Sequence, residues 1–156
     1  MMLESPDGNR RSLDQLVMQG GDVFTFTQTV VPRFLEGLLS RAGTRAADVP
    51  WFFLHQANAF ILRKIAERLK VSEDRVPHHV VSRYGNSSSA TIPVTIATTF
   101  TTDTPSTKVC LCGFGGGLSW GGGVLPLGPF TCCDLIEYPN PPSALHSPIH
   151  PLPSDV

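Results

Sequence analysis

A chain of 156 residues, 41% hydrophobic and with a formal net charge of −1, is long enough for one domain around one core. Acidic and basic residues nearly cancel and no Lys/Arg block stands out, which argues against nucleic acid or a membrane surface as a partner. No apolar run approaches the ~20 residues of a bilayer span, and the start, MMLESPDGNRRS, is polar and charged rather than a signal-peptide core, so a cytoplasmic location is expected.

In chain order, residues 1–12 read as an irregular segment, and Gly20 and Gly21 as a turn before a short strand suggested by Val23, Phe24 and Phe26. Val30, Val31, Phe34, Leu35, Leu38 and Leu39 then recur at helical spacing up to Gly43, with Pro32 tolerable only near that helix's start. The wholly apolar WFFL, residues 51–54, predicts a strand covered on both faces that delivers His55 at its carboxyl end. Asn58 is positioned to cap the next helix, whose apolar face is Ile61, Leu62, Ile65, Ala66 and Leu69 and whose solvated face carries Arg63, Lys64, Glu67 and Arg68.

HVVSRY predicts a further strand ending in GNSSS, and ATIPVTIATTF a helix with Pro93 in its first turn. Its threonines make that helix intrinsically weak, so packing must hold it. KVCLCGF, GFGGG and LSWGGGVLPL complete the pattern as strand, glycine turn and strand. Cys110 and Cys112 fall on one strand face as small hydrophobes, and no cysteine pair has zinc-ligand spacing. From about Tyr138 the chain is proline-rich and aperiodic, an extended or disordered tail over 138–156, in which His146 and His150 alone do not make a metal site. The alternation predicts an α/β fold, a mixed sheet covered by helices, with function at the strands' carboxyl ends.

Three polar clusters fall at three predicted strand ends: His55-Gln56-Ala57-Asn58, Gly85-Asn86 with the serines after it, and Gly113-Phe114-Gly115-Gly116-Gly117. Each has a bland reading, as a structural histidine, turn chemistry and a tight glycine turn. GFGGG also lacks the spacing of a dinucleotide loop.

Together HQAN, YGNSSSATIP and CGFGGGLSWG resemble, in this order, the C-terminal half of the ketoacyl-acyl-carrier-protein synthase III family, condensing enzymes of the thiolase fold. MQGGDVFTFTQTVVPRFLEGLL is similar to the entry into that half. The resemblance implies one thiolase-like half over residues 13–137, with His55 and Asn86 matching the two groups that bind the malonyl thioester carbonyl. It implies further that Gly116 offers a backbone N–H to an oxyanion, that Phe114 closes the pocket, and that Asn58 lies near the pantetheine end. The expected reaction is a decarboxylative Claisen condensation of an acyl thioester with a malonyl carrier, with acyl-CoA or acyl-carrier thioesters as substrates and no cofactor or metal.

The family's nucleophilic cysteine belongs to its first half, and none of the four cysteines here occupies the expected strand-to-helix position. The chain is therefore expected to be unable to complete condensation alone, and to pair with another copy or with a separate N-terminal half. Phe60 stands where several family members carry an arginine that docks acyl carrier protein, leaving Arg63, Lys64 and Arg68 as the alternative docking surface. The competing readings are a non-catalytic subunit of a full-length enzyme and a truncated, inactive fragment.

Overall fold

The computed structural model describes residues 19–100, 104–133 and 135–136, together with the backbone of 2–4 and 10–12. Met2–Glu4 (β1) and Arg10–Ser12 (β2), expected to be irregular, pair antiparallel. The predicted tail over 138–156 lies outside the described residues.

Gly20–Arg41 is one helix, α1, so the turn expected at Gly20-Gly21 and the strand expected at Val23–Phe26 are both its first turns. The alternation of Val23, Phe24 and Phe26 imitates a strand, but Phe26, Thr27, Val31, Leu35 and Leu39 bury along one helical stripe, and that longer period prevails. Thr25 and Thr29 fit the helix by donating their hydroxyls to Gly21 and Thr25 carbonyls at 3.0 and 2.7 Å. Pro32 sits inside the helix rather than at its start, and is buried. An interior proline costs about 3 kcal/mol, which the packing of its neighbours Val31 and Leu35 offsets. The helix closes where Gly43, at φ +59°, takes the left-handed conformation and Thr44 N–H reaches back to Leu39.

Trp51–Leu54 (β3) forms as expected and pairs in parallel with Thr107–Gly115 (β4), Phe52 opposite Cys110 and Leu54 opposite Cys112. Ser119–Leu127 (β5) pairs antiparallel with β4, so the sheet order is β3-β4-β5. A Cβ on Gly122 would run into the Leu111 carbonyl and lie 3.1 Å from Cys112 Cα, which explains a glycine inside β5.

Strand alternation sends residues to two faces. Phe52, Leu54, Cys110, Cys112 and Phe114 join the core formed with α1 and with Ala59–Leu69 (α2). Trp51 and Phe53 meet Phe100 on the other side, their rings 5.7 and 5.4 Å from it, and Phe100 in turn meets Phe130. α2 buries Leu62, Ile65, Ala66 and Leu69, the face the sequence predicts.

HVVSRY is not a strand. His79–Tyr84 forms a short helix, α3, which buries Val80 and neighbours α2 and the helix Thr91–Thr99 (α4). Its β-branched pair suggested a strand, but the segment packs helix on helix instead. Thr91–Thr99 (α4) is the predicted helix, with Pro93 in its first turn. Two threonines, Thr91 and Thr95, are buried there, so packing holds a helix of weak propensity.

Candidate functional site

His55 is fixed by the sheet. It follows β3 directly, and its backbone N–H donates to the Cys112 carbonyl at 2.9 Å, one step beyond the last β3–β4 pair. Its half-buried ring meets Phe114 edge to face, centroids 5.5 Å apart at 88°. Phe114 is 7% exposed, so the histidine leans on an immobile wall.

Gln56, next in line, is fully buried and ties this strand end down by donating to the carbonyls of Leu54 at 3.0 Å and Pro77 at 2.9 Å. Asn58 is the α2 N-cap: its side-chain oxygen accepts from Phe60 N–H at 2.8 Å. The cap consumes the amide oxygen and leaves the NH2 group for other partners.

Asn86 does not end a strand. It follows Gly85, the C-cap of α3, where φ is +73°. Its side-chain oxygen accepts from Ser88 N–H at 3.0 Å, which turns its NH2 outward as a pair of donors. Ser88 is in the left-handed region at φ +54°, an uncommon conformation for a residue with a Cβ. Its carbonyl accepts the Thr91 hydroxyl at 2.8 Å, and Thr91 Oγ1 is also 2.8 Å from His55 Nδ1.

His55, Thr91, Ser88 and Asn86 thus form one bonded run. Thr91 does not stand out in the sequence, and Ser88 does so only as one of the serines after Asn86. The available signal was a threonine three positions after a serine at the start of a weak helix, where a hydroxyl bond back to the turn is common.

Burial pulls the His55 pKa below its usual value, and the Ser88 carbonyl opposes that shift. Only one proton assignment satisfies both short contacts of Thr91. Because a carbonyl can only accept, the Thr91 proton goes to Ser88, and Nδ1–H of His55 donates to Thr91. A neutral His55 therefore carries its proton at Nδ1, and Nε2 becomes a donor only when the ring is charged.

Gly116 lies in the turn between β4 and β5, two residues beyond Phe114, and its carbonyl accepts from Ser119 Oγ at 2.8 Å. A Cβ there would meet no atom of the described residues within 4 Å beyond its chain neighbours, whereas Gly117 is held at φ +131°.

Cys110 and Cys112 are fully buried, and burial pushes both thiols up to about 12, so both stay protonated at neutral pH. Neither is an activated nucleophile. Among the described residues no group of three His, Cys, Asp or Glu is arranged to hold a metal, and no helix is long and apolar enough to cross a membrane.

On α2, Arg63 and Arg68 are exposed, while Lys64 pairs with Glu67 at 2.7 Å and lies 5.8 Å over the Phe60 ring. Phe60 is 49% exposed and stacks on Phe24.

A mixed sheet covered by helices, with a histidine at the end of the edge strand β3 and against Phe114 at the start of a glycine turn, is a thiolase-like arrangement, as comparison with solved structures bears out. A 3-oxoacyl-(acyl-carrier-protein) synthase from Burkholderia xenovorans superposes with a TM-score of 0.76 at 35% identity, over 82% of this chain and 37% of that one. The priming β-ketosynthase of the R1128 polyketide pathway gives 0.67 at 32% identity, over 80% of this chain and 37% of that one. The family description "3-Oxoacyl-[acyl-carrier-protein (ACP)] synthase III C terminal" matches residues 39–127, and the chain belongs to this family. The β-ketoacyl-[acyl-carrier-protein] synthase III of Synechococcus elongatus is 43% identical over 108 residues, 68% of this chain and 32% of its own. That of Lactiplantibacillus plantarum is 40% identical over 113 residues, 72% of this chain and 34% of its own. The chain spans about a third of the length of these curated relatives.

Proposed function

We propose that this chain, through a domain over residues 13–137, supplies the C-terminal wall of a thioester site for decarboxylative Claisen condensation. The observation that supports the reading is the bonded run from His55 through Thr91 and Ser88 to Asn86, which ties the two side chains to one turn.

In the proposed reaction the malonyl carboxylate leaves as carbon dioxide, and the electrons of the broken C–C bond pass into an enolate. Asn86 NH2 and the protonated Nε2 of His55 donate to the enolate oxygen, where charge develops. The substrate's negative charge favours the imidazolium and works against the desolvation of the ring. The enolate carbon then attacks an acyl thioester carbonyl; the Gly116 N–H receives the tetrahedral oxyanion, and collapse expels the thiolate. Glycine at 116 suits close approach of a thioester, since the chain's own packing does not require it. Phe114 closes the pocket beside His55, and Asn58 NH2 lies toward the pantetheine end.

The substrates in this reading are acyl-CoA or acyl-carrier thioesters and a malonyl carrier, with no cofactor, in cytoplasmic fatty acid biosynthesis. The acyl-accepting thiol in this reading comes from a first-half partner: Cys110 and Cys112 are buried and protonated, and Cys132 and Cys133 lie outside any strand or helix rather than at a strand-to-helix junction. Arg63, Lys64 and Arg68 form the surface for an acidic carrier, with Phe60 as its apolar contact. The competing reading is a non-catalytic subunit; Leu118 and Trp120, at the turn into β5, are 43% and 46% exposed and offer an interface in either case.

Carbon dioxide release from a malonyl thioester, measured with the chain assembled with the first half of a relative, separates the two. Loss of release in His55→Ala supports the catalytic reading, and unchanged release favours the structural subunit.

A further inference from the structure

We propose that Thr91 is a positioning residue that holds the His55 ring in its Nδ1–H tautomer and so makes Nε2 the face presented to substrate. The inference rests on the reading of His55 as a substrate-binding group.

Thr91 is 1% exposed, and its Oγ1 makes two contacts of 2.8 Å, to Ser88 O and to His55 Nδ1. A hydroxyl has one proton and can accept through its lone pairs. With the proton spent on Ser88, Thr91 offers His55 only an acceptor, and the ring proton is drawn to Nδ1; the Ser88 carbonyl, which also faces the ring, can itself only accept. Orientation of a histidine by the partner of its second nitrogen is the usual means of selecting which nitrogen does chemistry.

The acceptor is itself well anchored. Ser88 keeps a left-handed backbone, its N–H bound by Asn86 and its carbonyl by both the hydroxyl and the backbone N–H of Thr91. One turn thereby orients both proposed donors: Asn86 through its oxygen and His55 through Thr91. Phe114 packs edge to face against the same ring and limits its tilt.

Thr91→Val tests this cleanly. Valine keeps the shape of threonine at a buried position, and the Ser88 carbonyl retains the backbone N–H of residue 91. Thr91→Ser restores the hydroxyl. The readout is long-range ¹H–¹⁵N NMR of the histidine rings in the full chain at a pH where His55 is neutral, with the His78 and His79 signals as controls for folding.

In the wild type and in Thr91→Ser, His55 shows a protonated Nδ1 and a bare Nε2. In Thr91→Val the single-tautomer signature is lost, and both nitrogen shifts move toward the averaged position while His78 and His79 stay unchanged. A wild-type ring protonated at Nε2, or a Thr91→Val spectrum with His55 unchanged, overturns the proposal. Because the readout needs no turnover, it is independent of decarboxylation by His55→Ala, on which the functional reading stands or falls.

Discussion

The backbone N–H of His55 donates to the carbonyl of Cys112 at 2.9 Å, so the histidine extends the parallel pairing of β3 and β4 by one residue. The loop that begins there is therefore tethered to the central strand of the sheet. Its ring then inherits fixed neighbours, Phe114 along β4 and Thr91 from α4. Several measurable consequences come from this and from the rest of the site.

His55 and His79 both have pKa values held below the usual value by burial. The unfolded chain binds protons on these rings more readily than the folded one, so stability is present above the unfolded value of about 6.5 and declines as pH falls through the folded values. Urea unfolding across pH 5 to 8 is expected to show falling stability on the acid side. His55→Gln and His79→Gln are expected to flatten that slope.

Asn58→Ala removes the cap on α2 and is expected to cost about 1 kcal/mol in urea unfolding, with most of that retained in Asn58→Asp. A loss of thioester binding in Asn58→Asp at unchanged stability would show that the NH2 group acts beyond the cap.

Gly122 and Gly116 separate packing from chemistry. Gly122→Ala drives a methyl into the Leu111 carbonyl and is expected to destabilise by about 3 kcal/mol, the upper part of the overpacking range. Gly116→Ala meets nothing in the chain and is expected to leave the melting temperature unchanged while impairing condensation in the assembled site.

Thiol alkylation of the native chain at pH 8 is expected to modify exposed Cys133 first. Cys110 and Cys112, buried and raised to about 12, are expected to react only after denaturation. Rapid native labelling of Cys112 would reopen its place as a nucleophile.

Charge reversal at Arg63, Lys64 and Arg68 is expected to weaken acyl carrier binding at least tenfold at low salt, with the difference shrinking as salt rises. Unchanged carrier affinity would remove α2 as the docking surface.

The sequence displays those parts of the fold whose signals are local. WFFL is short, apolar and bounded by Pro50, so β3 is legible; Asn58 before an amphipathic run reveals α2 and its cap. Cys110 and Cys112 two apart reveal their shared buried face. The misread segments are those where a local pattern competes with packing. Phe24 and Phe26 alternate like a strand, yet Phe26 packs on Trp120 of β5 and Phe24 on Phe60 of α2, contacts that require a helix at α1. HVVSRY carries strand-forming residues but is placed by α2 and α4. Within the candidate site, His55 and Asn86 are visible through motif resemblance. The link between them is not, because Thr91 reaches His55 from 36 positions away and Ser88 acts through its backbone.

The proposed chemistry requires His55 and Asn86 to act on one oxygen. A double-mutant cycle on malonyl-thioester decarboxylation, in the chain assembled with a first half, addresses it most directly. Each of His55→Ala and Asn86→Ala is expected to slow carbon dioxide release by about 10²–10³-fold, and the double variant by clearly less than the product of the two. Release unchanged in either single variant, or losses that multiply fully, would contradict the account.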